Sequence, residues 1–240
     1  IGSDAADEFI GSAAIDTIYY AGRAGNDTIR GTDSTDIADY SLDEVYGAVL
    51  GVIVNLSKGT AIDGFGDTDT LLKVDDVNGT KFADQLIGDA GDNVLDGMGG
   101  DDSILGGEGN DRLRGGAGND TLRGGLGVDS YYGGAGDDLI DASIANADGS
   151  WSAWVVPGEG SNTIVGNQSL WYNGNGISIS YYEELSGTGG LVIVANDDGS
   201  GTVSSNNAGV VNDTFTFVNN FEGSDGPDHI TAANNPNVVW

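Results

Sequence analysis

From Leu86 to Ile140 an apolar residue returns at every ninth position: Leu86, Leu95, Ile104, Leu113, Leu122, Tyr131 and Ile140. Its neighbours are mostly polar, as in Ser103, Arg112, Arg114, Thr121, Arg123, Ser130 and Asp141. One apolar side chain between two polar ones predicts a three-residue strand whose middle side chain turns inward. Two residues before each apolar position stands an acid or an amide, namely Asp84, Asn93, Asp102, Asp111, Asp120, Asp129 and Asp138. Glycine-rich stretches such as Gly106-Gly107-Glu108-Gly109, Gly115-Gly116-Ala117-Gly118 and Gly133-Gly134-Ala135-Gly136 lead into these acids. Glycine takes positive φ without a Cβ clash, so each nonapeptide reads as a tight turn and then a short strand.

A strand of three residues is not stable alone. Stacked copies form a parallel solenoid with two repeats per coil and ladder neighbours about 4.8 Å apart. Residues eighteen apart then become neighbours, which brings Asp84 beside Asp102, Asp102 beside Asp120 and Asp111 beside Asp129. Rows of carboxylates at that spacing repel unless a cation lies between them. The ligands on offer are carboxylate and carbonyl oxygens on flexible turns, which suit calcium better than the rigid octahedron of magnesium.

The Gly-Gly-x-Gly-x-Asp-x-apolar-x pattern resembles the RTX, or hemolysin-type, calcium-binding repeats of bacterial secreted proteins. The resemblance implies an all-β, right-handed parallel β-roll (an RTX β-solenoid) with longer-stranded β inserts. It also implies several Ca2+ ions held between turns by the sixth-position Asp and backbone carbonyls, and type I secretion to the extracellular space or cell surface. The implied metal positions are Asp27, Asp84, Asn93, Asp102, Asp111, Asp120, Asp129 and Asp138, with Gly97, Gly99, Gly106, Gly107, Gly109, Gly115, Gly116, Gly118, Gly124, Gly125, Gly127, Gly133, Gly134 and Gly136 in the turns. The Asn93 site is expected to be the weaker one. The match is specific for fold and ion and not for biological role, since such blocks occur in toxins, proteases, lipases, alginate-modifying enzymes, adhesins and surface layers.

Composition narrows the role. Among 240 residues there are 42 Gly and 3 Pro without a collagen period, so the glycine belongs to turns. A net charge of −30, from 38 acidic and 8 basic residues, excludes binding to a nucleic-acid backbone and gives no attraction to an anionic membrane. With no cysteine there is no disulfide or thiolate chemistry. No apolar run of about 20 residues predicts membrane insertion. The single histidine, His229, has no His-Glu-x-x-His partner or triad context, and accidental acid pairs are certain among 38 acids, so the chain reads as non-catalytic.

Five segments follow. Residues 1–39 are degenerate repeats marked by Asp7, Asp16, Asp27 and Asp36, with Phe9, Ile18, Ile29 and Ala38 inward. Residues 40–78 read as a β insert, with strands expected over 48–56 and 71–74, and residues 79–141 are the main calcium block. Residues 142–222 are a second insert holding one degenerate repeat at Asn162, and 223–240 begin a further block. Shifted by 144, residues 69–94 fall on 213–238 without a gap, matching Asp69, Thr70, Val74, Gly79, Asp84, Asn93 and Val94 with Asp213, Thr214, Val218, Gly223, Asp228, Asn237 and Val238. This points to a duplication and to a chain that is a piece of a larger array.

Trp151, Trp154, Trp171 and Tyr172, with Tyr131 and Tyr132, either pack the insert against the roll or stack on sugar rings of an extracellular polysaccharide. The function expected is an extracellular calcium-binding module, structural or adhesive, that folds on calcium after secretion. The alternative is a non-catalytic accessory module of a larger secreted enzyme acting on polysaccharide, protein or lipid.

Overall fold

The structure is a computed structural model that describes residues 2–11, 17–21, 23–32, 34–144, 153–167, 177–181, 191–195, 198–205, 212–216, 218–222 and 229–232. It is an all-β parallel solenoid built from two sheets. In the middle of the chain, strands alternate between the sheets: Gln85–Ile87, Ser103–Glu108, Thr121–Leu126, Leu139–Asp141 and Thr163–Val165 lie in one, and Val94–Asp96, Arg112–Ala117, Asp129–Ala135 and Ala153–Glu159 in the other. Register is eighteen residues, as Leu86 beside Ile104, Ile104 beside Leu122, and Leu95 beside Leu113 show.

Each inward position therefore stacks on its own kind. Leu86, Leu95, Ile104, Leu113, Leu122, Tyr131 and Ile140 are all at most 1% exposed. A single file of one apolar residue per strand makes the whole core here, so each copy matters. From Ser103 to Ala135 the strands also run longer than the three residues expected. Ser103–Glu108 and its neighbours extend through the glycine pair because Gly107 pairs with Gly125 and Gly116 with Gly134.

The N-terminal block uses the same coil with one change. Phe9, Ile29 and Leu71 stack in one sheet, while Tyr20, Ala38 and Val77 stack in the other. Tyr20 thus holds the column expected of Ile18, whose side chain lies outside the described residues; the two extra residues before Asp27 make room for the shift. Asp16 also lies outside them.

The insert over 40–78 is a hairpin wedged into one sheet. Ile53–Asn55 pairs parallel with Gln85–Ile87 and antiparallel with Thr60–Ile62, which pairs antiparallel with Thr68–Leu72. The strands are shorter and differently placed than expected: the first is confined to Ile53–Asn55, where a 3-10 turn at Leu56–Lys58 ends it. A second hairpin, Leu191–Ala195 with Ser200–Ser205, is wedged identically between Asn212–Thr216 and His229–Ala232. Strand Asn212–Thr216 lies 144 residues after Thr68–Leu72, so strand order follows the internal sequence match. Gly223, Asp228, Asn237 and Val238 lie outside the described residues. Among the described residues, no helix is long and apolar enough to cross a membrane.

Candidate metal centre

The acids that mark the repeat are buried rather than solvated. Asp84, Asn93, Asp102, Asp111, Asp120, Asp129 and Asp138 are at most 3% exposed, as are Asp27 at 1% and Asn162 at 1%. Backbone hydrogen bonds arrange them in rows. The N–H of Asp84 donates to Asp102 Oδ1 at 2.8 Å, that of Asp102 to Asp120 Oδ1 at 2.8 Å, and that of Asp120 to Asp138 Oδ1 at 2.9 Å. Asp138 continues to Asn162 Oδ1 at 2.9 Å and Asn162 to Asp213 Oδ1 at 2.8 Å. On the other sheet, Asn93 donates to Asp111 Oδ1 at 2.9 Å and Asp111 to Asp129 Oδ1 at 3.0 Å. Asp7 to Asp27 and Asp27 to Asp69 repeat the scheme near the N-terminus.

Each carboxylate thus spends one oxygen on the neighbouring coil. The second oxygen decides the chemistry. In Asp27, Asp102, Asp111, Asp120 and Asp138, Oδ2 is buried and has no hydrogen-bond partner. Leaving an ionised oxygen in that state costs several kcal/mol, at least about 1–3 kcal/mol for any buried acceptor. Burial is the main cause that raises the carboxyl of Asp102 to about 9, with the charges of Asp84 and Asp120 adding to it. It likewise raises Asp111 and Asp138 to about 7, and Asp120 and Asp27 to about 6.

The orphaned oxygens border small spaces lined by other oxygens. A Cβ at Gly115 would collide with Asp120 Oδ2 and the Gly133 carbonyl oxygen; one at Gly106 would meet Asp111 Oδ2 and the Gly124 carbonyl oxygen. Gly97 is bounded in the same way by Asp102 Oδ2 and the Gly115 carbonyl oxygen. No group of three or more carboxylate, imidazole or thiolate side chains converges among the described residues. A cation here would depend on one or two carboxylates and on carbonyls, a hard, all-oxygen set that fits calcium.

The expected positions are not equivalent. Asp84 has both oxygens engaged, by Val52 N–H and by the N–H and hydroxyl of Thr80. Asn93 accepts from Asp89 N–H and donates to the Asp75 carbonyl. The Tyr131 hydroxyl accepts from Gly124 N–H at 2.9 Å and stands beside Asp129 Oδ2, offsetting part of the rise that burial gives that carboxyl. Gly99, Gly109, Gly118, Gly127 and Gly136 shape the turns, and all but Gly99 hold φ between 100° and 141°. Gly124 and Gly133 face Asp129 and Asp138 as Gly115 faces Asp120.

Several buried acids escaped the sequence reading, Asp43, Asp63 and Asp76 among them. Asp43 and Asp63 are each 1% exposed in the first insert, and Asp63 Oδ2 has no partner. Nothing in a non-repeating segment marks a buried acid. Of the aromatic set, Tyr131 is core, which removes it from any sugar-stacking face. Tyr132 lies under Arg112, 4.6 Å from its guanidinium carbon, Trp154 is 38% exposed, and Trp151, Trp171 and Tyr172 lie outside the described residues. Arg114 and Arg123 point outward and pair with Asp96 and Asp141 at 3.4 and 3.3 Å.

A search of curated proteins finds no match to the chain. Comparison with protein families matches residues 1–38, 78–113 and 105–140 to the RTX calcium-binding nonapeptide repeat, described in four copies. Proteins carrying these repeats bind calcium and are generally secreted by type I systems. The buried carboxylate rows, the eighteen-residue register and this match agree: these segments belong to the RTX calcium-binding nonapeptide repeat family and form a calcium-binding β-roll module.

Proposed function

We propose that the chain is an extracellular structural or adhesive module, non-catalytic itself, whose roll closes when calcium meets it after secretion. The reading is carried by the buried, unpartnered Oδ2 atoms of five repeat-marking acids, Asp27, Asp102, Asp111, Asp120 and Asp138. These oxygens, with turn carbonyls such as those of Gly115, Gly124 and Gly133, would hold the ions. Calcium supplies the positive charge that the rows lack.

The −30 net charge opposes compaction where calcium is scarce. Extracellular calcium sites have dissociation constants of about 0.1–1 mM, and a site bound only in the folded state contributes about 2.7 kcal/mol at 100 times its constant. A few such sites rival the total stability of a domain, about 5–15 kcal/mol. Calcium titration followed by circular dichroism tests this: β-structure should grow between micromolar and millimolar calcium. Full β-structure in excess chelator would refute calcium-driven closure.

A further inference from the structure

The unpartnered oxygens follow a rule that lies in the second residue of each turn. In the turns leading to Asp102, Asp111, Asp120 and Asp138 that residue is left-handed, with φ of 70° at Met98, 126° at Gly107, 108° at Gly116 and 108° at Gly134. Arg23, before Asp27, is also at 70°. These five turns are the ones whose acid has a buried Oδ2 without a partner.

In the turns leading to Asp7, Asp36, Asp84 and Asn93 the second residue is Ser3, Thr32, Thr80 or Asp89. None of the four has positive φ. Their N–H groups instead reach four residues ahead and donate to the side-chain oxygen of the acid or amide. Ser3, Thr32 and Thr80 add a hydroxyl hydrogen bond to the same carboxylate.

Tyrosines close further acids. Asp129 follows a left-handed Gly125 at φ 112°, yet the Tyr131 hydroxyl, which accepts from Gly124 N–H at 2.9 Å, stands beside Asp129 Oδ2 against Gly124, in the space a cation would need. Tyr40 donates to Asp69 Oδ2 at 3.2 Å and Tyr181 to Asp213 Oδ2 at 2.6 Å. In each case the other oxygen, Oδ1, is taken by the adjacent coil, from Asp27 N–H or Asn162 N–H.

We propose that the second turn residue, together with these tyrosines, selects which carboxylates take calcium and which hold the coil without it. The inference rests on the calcium reading above. An N–H or O–H donor aimed at the outer oxygen places its positive end in the space a cation needs, and it already satisfies the buried acceptor. A left-handed second residue turns its N–H away and leaves that oxygen to a metal. Side chains avoid the left-handed region, so Ser, Thr or Asp at this position favours the self-closed turn and Gly the open one. Met98 and Arg23 are the exceptions held open. The calcium positions are then Asp27, Asp102, Asp111, Asp120 and Asp138, while Asp7, Asp36, Asp69, Asp84, Asn93, Asp129 and Asp213 are closed by the protein itself.

The test counts bound calcium by equilibrium dialysis of the full 240-residue chain at saturating calcium, with circular dichroism to verify folding. Thr80→Gly and Tyr131→Phe should each add one ion, Met98→Thr should remove one, and Thr80→Ser should leave the count unchanged. Tyr131→Phe keeps the core volume, so it decides the matter if Thr80→Gly does not fold. Unchanged counts in folded variants, with calcium bound by the unmodified chain, would overturn this selection rule alone. No calcium on the unmodified chain would instead overturn the reading on which it rests.

Discussion

The block from Gly97 to Asp138 and the block from Gly2 to Asp39 wind the same coil, and they differ at the turns. In the first, Gly107, Gly116 and Gly134 are left-handed and the acids that follow keep an unpartnered buried oxygen. In the second, Asp27 after left-handed Arg23 keeps such an oxygen, while Ser3 and Thr32 close Asp7 and Asp36 with their own N–H and hydroxyl groups. The apolar columns are alike, since Ile29 and Leu113 are both at most 1% exposed. Coil geometry therefore comes from the core, and dependence on metal comes from one backbone conformation per turn.

Removing calcium should separate the blocks most strongly. In chelator, amide exchange across 102–141 should accelerate by the sum of several sites, each about 2.7 kcal/mol at saturation, while the amides bonded to Asp7 and Asp36 change far less. Equal loss of protection in both blocks would erase the distinction.

Core truncation should affect both blocks alike. Leu113→Ala and Ile29→Ala each remove a fully buried side chain, at an expected cost of about 2–5 kcal/mol measured by denaturant melts in calcium. A large difference between them would show that the columns are not equivalent.

When calcium is absent, acid should act in opposite directions on the raised acids of the main block, which Asp27 joins, and on the self-closed Asp7. Asp102, Asp111, Asp120 and Asp138 are raised by burial from 3.8 to about 9, 7, 6 and 7. Between pH 4 and those values the folded coil binds more protons than the unfolded chain. Their contribution is fully present below about pH 4 and is lost as pH rises toward 9. Asp7 is lowered by the Ser3 N–H and hydroxyl, so its contribution is present above 3.8 and lost as pH falls further. With calcium bound the main block should reverse, because acid protonates the ligands and displaces the metal. Melts between pH 3 and pH 9, with chelator and with calcium, should show the crossing.

The smallest effect belongs to the outward arginines. Arg114 and Arg123 are exposed partners of Asp96 and Asp141, so Arg123→Ala should shift stability by no more than about 1 kcal/mol in either condition. A larger loss would mean that the strand face, and not only the turns, carries the charge balance.

The nine-residue recurrence of apolar and acidic positions was enough to specify the solenoid, its eighteen-residue register and the burial of Leu86 through Ile140. It was enough because a periodic signal is repeated in every copy, and stacking has only one register that keeps all the apolar residues inside. At Asp84 and Asn93 the closed state is foreshadowed by Thr80 and Asp89 standing where other turns carry glycine, but the acid itself does not mark it, since Asp84 and Asp129 carry the same acid as the open positions. It depends on which way the N–H of Thr80 or Asp89 points and on where the Tyr131 ring reaches. The inserts over 40–78 and 142–222 were legible as β, but their wedging into one sheet as hairpins and the burial of Asp43 and Asp63 were not, because these segments have no period. The chain alone fixed what repeats. Folding decided which donor or space faces each second oxygen, because that is settled by backbone orientation and by side chains arriving from other coils.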